Sequence, residues 1–285
     1  MRGSSVEQGE TGSTRTQTLY SGHFPIFSTV QQKQQEWAWQ WDHLQDDNRW
    51  LFQEWLWPVT LEDFRGKSVL DCGCGGGQHV QFVSPFAREI TGVDLNALES
   101  ARKRTAELKN VLFVEADIAS MDLGKKFDHV YSIGVLHHTD NPSASFHNVA
   151  RHAAPGGRVS VWVYSREGNW MNEWILEPLK RIVIDHLPRG VVLFMARVLT
   201  ALLYFPIYTI YLLPLTFLPF YEYFQNWRRL SFSRNVLNVF DKLNAPQTWF
   251  IPRTMVEEWF NDVNFSEVHI SPYKGVSWRA SGIRR

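Results

Sequence analysis

Val69-Leu70-Asp71-Cys72-Gly73-Cys74-Gly75-Gly76-Gly77 is the stretch on which the fold turns. An apolar run ends in an acid and passes into glycines before a helical pattern resumes, which reads as strand, tight loop and helix of an α/β sheet. Glycine at 73 and 75 permits positive φ and removes Cβ, so a ligand can lie against bare backbone at the carboxyl edge of the strand. A dinucleotide loop expects G-x-G-x-x-G, whose last glycine would fall at 78 counting from 73, and Gln78 stands there. The run reads instead D-x-G-x-G-x-G, with an acid suited to a positively charged, amine-bearing ligand more than to a pyrophosphate.

Outward from this loop, Lys67 to about Tyr164 alternates short β-branched runs with polar-faced helical stretches, the pattern of βαβ units and a parallel sheet. The predicted strands are Ser68–Asp71, Glu89–Val93, Val111–Glu115, His129–Ile133 and Gly157–Tyr164. Helices follow the first, second and fourth, the second of them from Ala97 to Lys109. The second strand ends at Asp94-Leu95, about 20 residues after the loop, where a carboxylate can grip a ribose diol. The third ends at Asp117-Ile118, where Asp117 can accept from the exocyclic amine of adenine. Three acids at consecutive strand ends define one crevice. Any one of them alone reads equally well as a helix cap or loop carboxylate.

This order, Asp71–Gly77, Asp94, Asp117, then Val130–His138 and Pro155-Gly156-Gly157, resembles class I S-adenosylmethionine-dependent methyltransferases of the broad small-molecule group. The resemblance covers about Lys67–Tyr164. It implies a doubly wound, seven-stranded, mostly parallel α/β sheet in the order 3-2-1-4-5-7-6, the last strand antiparallel, and S-adenosyl-L-methionine as cofactor. By the same resemblance Asp71 lies near the methionine amino group, Gly73, Gly75 and Gly77 pass under the methionine part, Asp94 with Leu95 holds the ribose, and Asp117 with Ile118 the adenine. Ile133, at the end of the fourth strand, completes that set. Upstream, Glu36–Trp41 resembles the aromatic segment that caps the cofactor in some of these enzymes.

After the fourth strand, Ile133-Gly134-Val135-Leu136-His137-His138-Thr139-Asp140-Asn141-Pro142 lacks the Asn/Asp-Pro-Pro-aromatic motif common in enzymes that methylate exocyclic or amide nitrogens. Oxygen or carbon is therefore the expected target. His138 matches the histidine of the family's L-x-H stretch, and a near-neutral imidazole there can take a proton from a hydroxyl. The competing reading leaves both histidines shaping the pocket, with alignment lowering the barrier. Asp140 and Asn141 before Pro142 read as a turn and helix start.

The remaining chain is organised around this core. Residues 1–18 are rich in Ser, Thr, Gly and Gln and read as a disordered tail. Residues 19–66 form an aromatic-rich helical cap and 67–164 the cofactor-binding core. Residues 165–250 form an apolar helical insertion, and 251–285 hold a last helix and two strands, near Phe265–Ile270 and Val276–Ile283, that complete the sheet. Thr254 with Glu257 reads as a capping box opening a helix over Met255–Asn261. Val198 to Tyr221 carries no charge, yet Pro206, Pro214 and Pro219 break it and a single crossing would strand the last elements on the wrong side of a bilayer. Three readings of 191–221 remain: a lid over the crevice, a peripheral membrane contact flanked by Lys180, Arg181, Arg228, Arg229 and Arg234, or a buried bundle or dimer surface.

Composition narrows the partner. Lys plus Arg and Asp plus Glu both number 29, so no basic excess is present to track a phosphate backbone, and a small-molecule or lipid-like acceptor is expected in place of nucleic acid. The content of 13 Trp and 19 Phe, concentrated outside the core, favours a lipophilic one. Cys72 and Cys74 are too close for an ordinary disulfide and lack partners at zinc-ligand spacing, so no metal and a reducing, cytoplasmic setting are expected.

Overall fold

The computed structural model describes Trp39, Gln40, residues 48–96 and residues 98–285. The predicted tail over 1–18 and most of the Glu36–Trp41 segment lie outside the described residues. A helix α1 (Arg49–Leu56) precedes the sheet. Then come β1 (Ser68–Cys72), α2 (Gln78–Val83), β2 (Glu89–Asp94), α3 (Leu98–Arg104), β3 (Val111–Glu115), β4 (Phe127–Ile133), α4 (Pro142–Ala150) and β5 (Ala153–Tyr164). The insertion contributes α5 (Glu177–Ile182), α6 (Arg189–Ile207), α7 (Tyr221–Trp227) and α8 (Phe232–Asn244). The chain closes with α9 (Arg253–Trp259), β6 (Phe265–Tyr273) and β7 (Ser277–Arg284).

One seven-stranded sheet runs in the order β3-β2-β1-β4-β5-β7-β6. β1 to β5 pair in parallel, and β7 is antiparallel to both β5 and β6. The central strand β1 is buried along its whole length, as a strand covered by helices on both faces must be. Two apolar layers result. On one face, Phe146 of α4 and Trp259 of α9 stack at 4.9 Å over Val130, Val159 and Val161. On the other, Phe52 and Leu56 of α1 pack with Val80, Ile90 and Tyr131. The strand order brings the ends of β1, β2, β3 and β4 to one edge, where the chain reverses its winding and a crevice opens.

Several local expectations need correction. The helix after β2 runs from Leu98 to Arg104, shorter than the predicted 97–109. β5 begins four residues before the predicted Gly157: Ala153 already pairs with Phe127, and residues 154–157 bulge out before Arg158 rejoins His129. The capping box at Thr254 does not form. α9 starts at Arg253 behind Pro252, the Arg253 amide donates to Glu167 Oε1 at 3.0 Å, and Glu257 accepts instead from the Arg253 side chain at 2.7 Å. A carboxylate from a distant loop thus meets the first orphan amide of the helix, and a proline fixes its entry.

Candidate active site

The glycine loop is held by its backbone. The amides of Gly73 and Cys74 both donate to the Val93 carbonyl, at 2.7 and 3.0 Å, and the Arg104 Nε donates to the Gly76 carbonyl at 2.9 Å. Gly73 and Gly75 have φ of +86° and +51°, and a Cβ on Gly73 would lie 2.4 Å from Val135. Glycine is therefore required at 73 on conformation and on space alike.

Asp94, at the tip of β2, accepts from the Gly75 amide through Oδ2 at 2.9 Å and from the Asn96 amide through Oδ1 at 3.1 Å. Two amides fix the carboxylate at the strand tip. Asp117 accepts from the Ala119 amide at 2.8 Å and is exposed at the tip of β3. Both acids, with Gly73, Gly75, Leu95, Ile118 and Ile133, line a single cleft of about 320 Å³. That volume sits at the lower end of the ~300–1,000 Å³ usual for small-molecule sites.

Two of the predicted cofactor residues stand behind this wall. Asp71 is buried beneath the loop, where its Oδ2 accepts from Tyr131 OH at 3.1 Å and its Oδ1 has no hydrogen-bond partner among the described residues. Burial drives its carboxyl pKa well up, opposed by the Tyr131 bond and reinforced by Asp94. Gly77 is the left-handed N-terminal cap of α2, φ +79°, and a Cβ there would meet Ala101 Cα of α3 at 2.9 Å. Its glycine is demanded by helix packing away from the cleft, because the loop turns into the helix at that point.

The fourth strand delivers two adjacent histidines to different places. His137 is fully buried, 4.3 Å from the Tyr164 ring, and burial holds its pKa well below 6.5. His138 lines the cleft, and its Nδ1 lies 2.8 Å from the Gln247 carbonyl. A carbonyl only accepts, so Nδ1 carries the proton and Nε2 the lone pair in the neutral ring. Burial lowers the His138 pKa, partly offset by Asp241 and the Gln247 bond. Asn141 caps α4 by accepting from the Ala144 amide at 3.0 Å, ahead of Pro142, as a turn and helix start require.

Beyond His138 the same cleft continues into a second half built from β5 and the insertion: Trp162, Tyr164, Tyr223, Trp227, Asp241 and Lys242. Asp241 accepts from Tyr164 OH at 3.0 Å and from Gln40 Nε2 at 3.3 Å, while Lys242 Nζ reaches Tyr223 OH at 3.2 Å. Trp55 lies against Trp162 with ring centroids 4.7 Å apart. Gln40, which also lines the cleft, falls within the Glu36–Trp41 segment expected to cap the cofactor, and the other side chains were not singled out for the site from sequence. The Trp162 and Tyr164 pair at the carboxyl end of β5 was legible, since residues two apart share a strand face at the ligand-binding edge. The α7 and α8 residues come from far along the chain and carry no local signal.

The donor set suits S-adenosylmethionine. Bare backbone at Gly73 and Gly75, carboxyl groups at two strand tips and apolar Ile118 and Ile133 answer to a ligand with a diol and an aminopurine.

Residues 70–161 match the family described as "Methyltransferase domain". Among curated proteins, the chain is similar to tRNA U34 carboxymethyltransferase of Klebsiella pneumoniae subsp. pneumoniae, 28% identical over 132 residues, 43% of this chain and 39% of that protein. It is also similar to ubiquinone biosynthesis O-methyltransferase of Alkalilimnicola ehrlichii, 33% identical over 106 residues, 35% of this chain and 42% of that protein. The chain thus covers less than half the length of these relatives. The N-methyltransferase NodS from Bradyrhizobium japonicum WM9, solved with S-adenosyl-L-homocysteine, aligns with a TM-score of 0.47 and 12% identity over 88% of this chain and 98% of that one. The family match begins in β1 and ends in β5, so it holds the glycine loop, both acidic tips and His138 but none of the insertion. Residues 70–161 of the chain are thus a methyltransferase domain by that family match.

Proposed function

We propose that this protein methylates an oxygen or carbon of a small, lipophilic acceptor held in the second half of the cleft. S-adenosylmethionine bound at the strand tips supplies an electrophilic methyl group. The observation that carries the reading is continuity: one cleft is lined by Gly73, Asp94 and Asp117, by Trp162 and Trp227, and by His138. Donor and acceptor can then be aligned within one site, which accounts for much of the rate gain in a bimolecular transfer. Asp94 and Asp117 hold the donor. The Trp55, Trp162 and Trp227 rings offer apolar area to the acceptor, and Tyr164, Asp241 and Lys242 orient its polar group.

His138 is the base. Its Nδ1 is committed to a carbonyl, so Nε2 is the atom that receives the acceptor's hydroxyl proton, and burial keeps the ring neutral at physiological pH. The equal counts of acidic and basic residues support a small acceptor over a tRNA.

Incubation with methyl-labelled donor and lipid or metabolite extracts, followed by mass analysis, tests the assignment. Label should pass to a lipophilic hydroxyl or carbon acceptor. For that acceptor kcat/KM should fall with acid only below pH 6.5, since the neutral base is lost as pH drops through a depressed pKa. H138N should remove that limb and lower the rate roughly 10²–10⁴-fold. Label on tRNA alone, or an H138N enzyme of full activity, contradicts the reading.

A further inference from the structure

α6 is apolar on opposite faces, and protein covers one of them among the described residues. Val192, Ala196, Thr200 and Ile207 recur at helical spacing and are buried, with Val192 and Ala196 packed in one cluster with Val236, Phe240 and Leu243 of α8. At 3.6 residues per turn, Val191, Phe194, Val198, Leu202 and Phe205 project from the other side. They are exposed: Phe194 by 64%, Leu202 by 65% and Phe205 by 74%. The chain after α6 continues in kind through Leu212, Leu213 and Phe217, the last 80% exposed. A water-facing helix normally carries polar groups on its outer side, and a helix apolar all round needs an apolar medium on both.

We propose that this face docks on an anionic lipid bilayer, α6 lying in the interface with Phe194, Leu202 and Phe205 among the acyl chains. Charge selects this occupant. Between His186 and Tyr221 there is no Asp or Glu, whereas Arg189 and Arg197 lie within the run. Asp185 and Glu222 stand just outside it. Basic residues beside an apolar stripe match a phosphate headgroup layer, whereas a protein interface is rimmed by both signs.

The structure revises which cations take part. Lys180 is buried and pairs with Glu177 at 2.6 Å, Arg228 donates to the Ile207 and Tyr211 carbonyls, and Arg229 pairs with Glu54 at 2.9 Å. Arg234 is buried beside Asn238. Exposed Arg197, on α6 itself, is the better headgroup contact.

A spanning helix does not fit. α8 holds the inner face of α6, and β6 and β7 after the insertion join the same sheet as β5 before it. Docking through α6 sets α8, which lines the cleft with Asp241 and Lys242, about 8–10 Å from the lipid-facing helix.

Flotation of the full chain with vesicles tests the proposal. It should rise with vesicles of phosphatidylcholine and phosphatidylglycerol, less with phosphatidylcholine alone, and less in high salt. F194E/L202E/F205E should lose vesicle partitioning roughly tenfold or more, and R197E should weaken it on anionic vesicles only. Single F205E serves if the triple variant folds poorly, and a retained thermal shift with S-adenosylhomocysteine marks each variant as folded. No flotation with anionic vesicles, or equal flotation of wild type and the charge variants, overturns the proposal. A dimer in sedimentation that F205E dissociates, without flotation, overturns it in favour of a self-interface.

Discussion

Asp71 shows how far a single residue can be read. Its place before the glycines was legible because an acid ending an apolar strand is a local pattern, and so was its proximity to the loop. Its depth was not, since burial depends on Tyr131, a partner 60 residues away. The depth has a measurable consequence. An acid whose pKa is raised on folding binds its proton more tightly in the folded chain, so stability declines as pH rises from the unfolded pKa near 3.8 toward the folded one. D71N removes this ionisation and keeps an oxygen to accept from Tyr131. We expect its melting temperature at pH 7–8 to equal or exceed that of wild type, with weaker donor binding. Unchanged affinity for S-adenosylhomocysteine would relieve Asp71 of any electrostatic part in holding the donor. The Gly73 and Gly77 pair makes the companion point. Both are glycines of one motif, yet the first lines the cleft and the second lets α2 pass α3.

At the level of elements, strands were read better than helix ends. β3 has the predicted bounds and β1, β2 and β4 differ by one or two residues, because buried parallel strands appear as short β-branched runs with sharp edges. Helix termini answer to whichever group reaches them first. At α9 that group is Glu167, distant in sequence, so a plausible local cap was passed over. What fixes α9 is its buried face: Trp259 is 1% exposed, stacks on Phe146 and donates to Ser143 Oγ at 2.9 Å. W259A should cost about 3–5 kcal/mol of unfolding free energy in denaturant titration, as aromatic truncations in cores do. A loss under about 1 kcal/mol would mean that α9 does not anchor α4 to the sheet.

For the whole molecule, the parallel sheet, its winding order and the half of the cleft proposed to hold the donor follow from one continuous stretch of sequence, because each βαβ unit brings its own strand tip to the same edge. The acceptor half does not. It is assembled from β5, α7 and α8, whose contacts, such as Tyr164 with Asp241, join residues 77 apart in the chain. The apolar face of α6 was visible as composition, but only the folded arrangement separates its buried side from its exposed side. The central claim is that carboxylates on neighbouring strand tips seat an adenosine-bearing sulfonium beside bare backbone. Calorimetric titration of the full chain with S-adenosylhomocysteine, compared with D94A, tests it most directly. We predict saturable binding to wild type at one site per chain and at least roughly tenfold weaker binding to D94A, the expected loss for hydrogen bonds to a charged acceptor. No binding to wild type, or equal binding to both proteins, would contradict it.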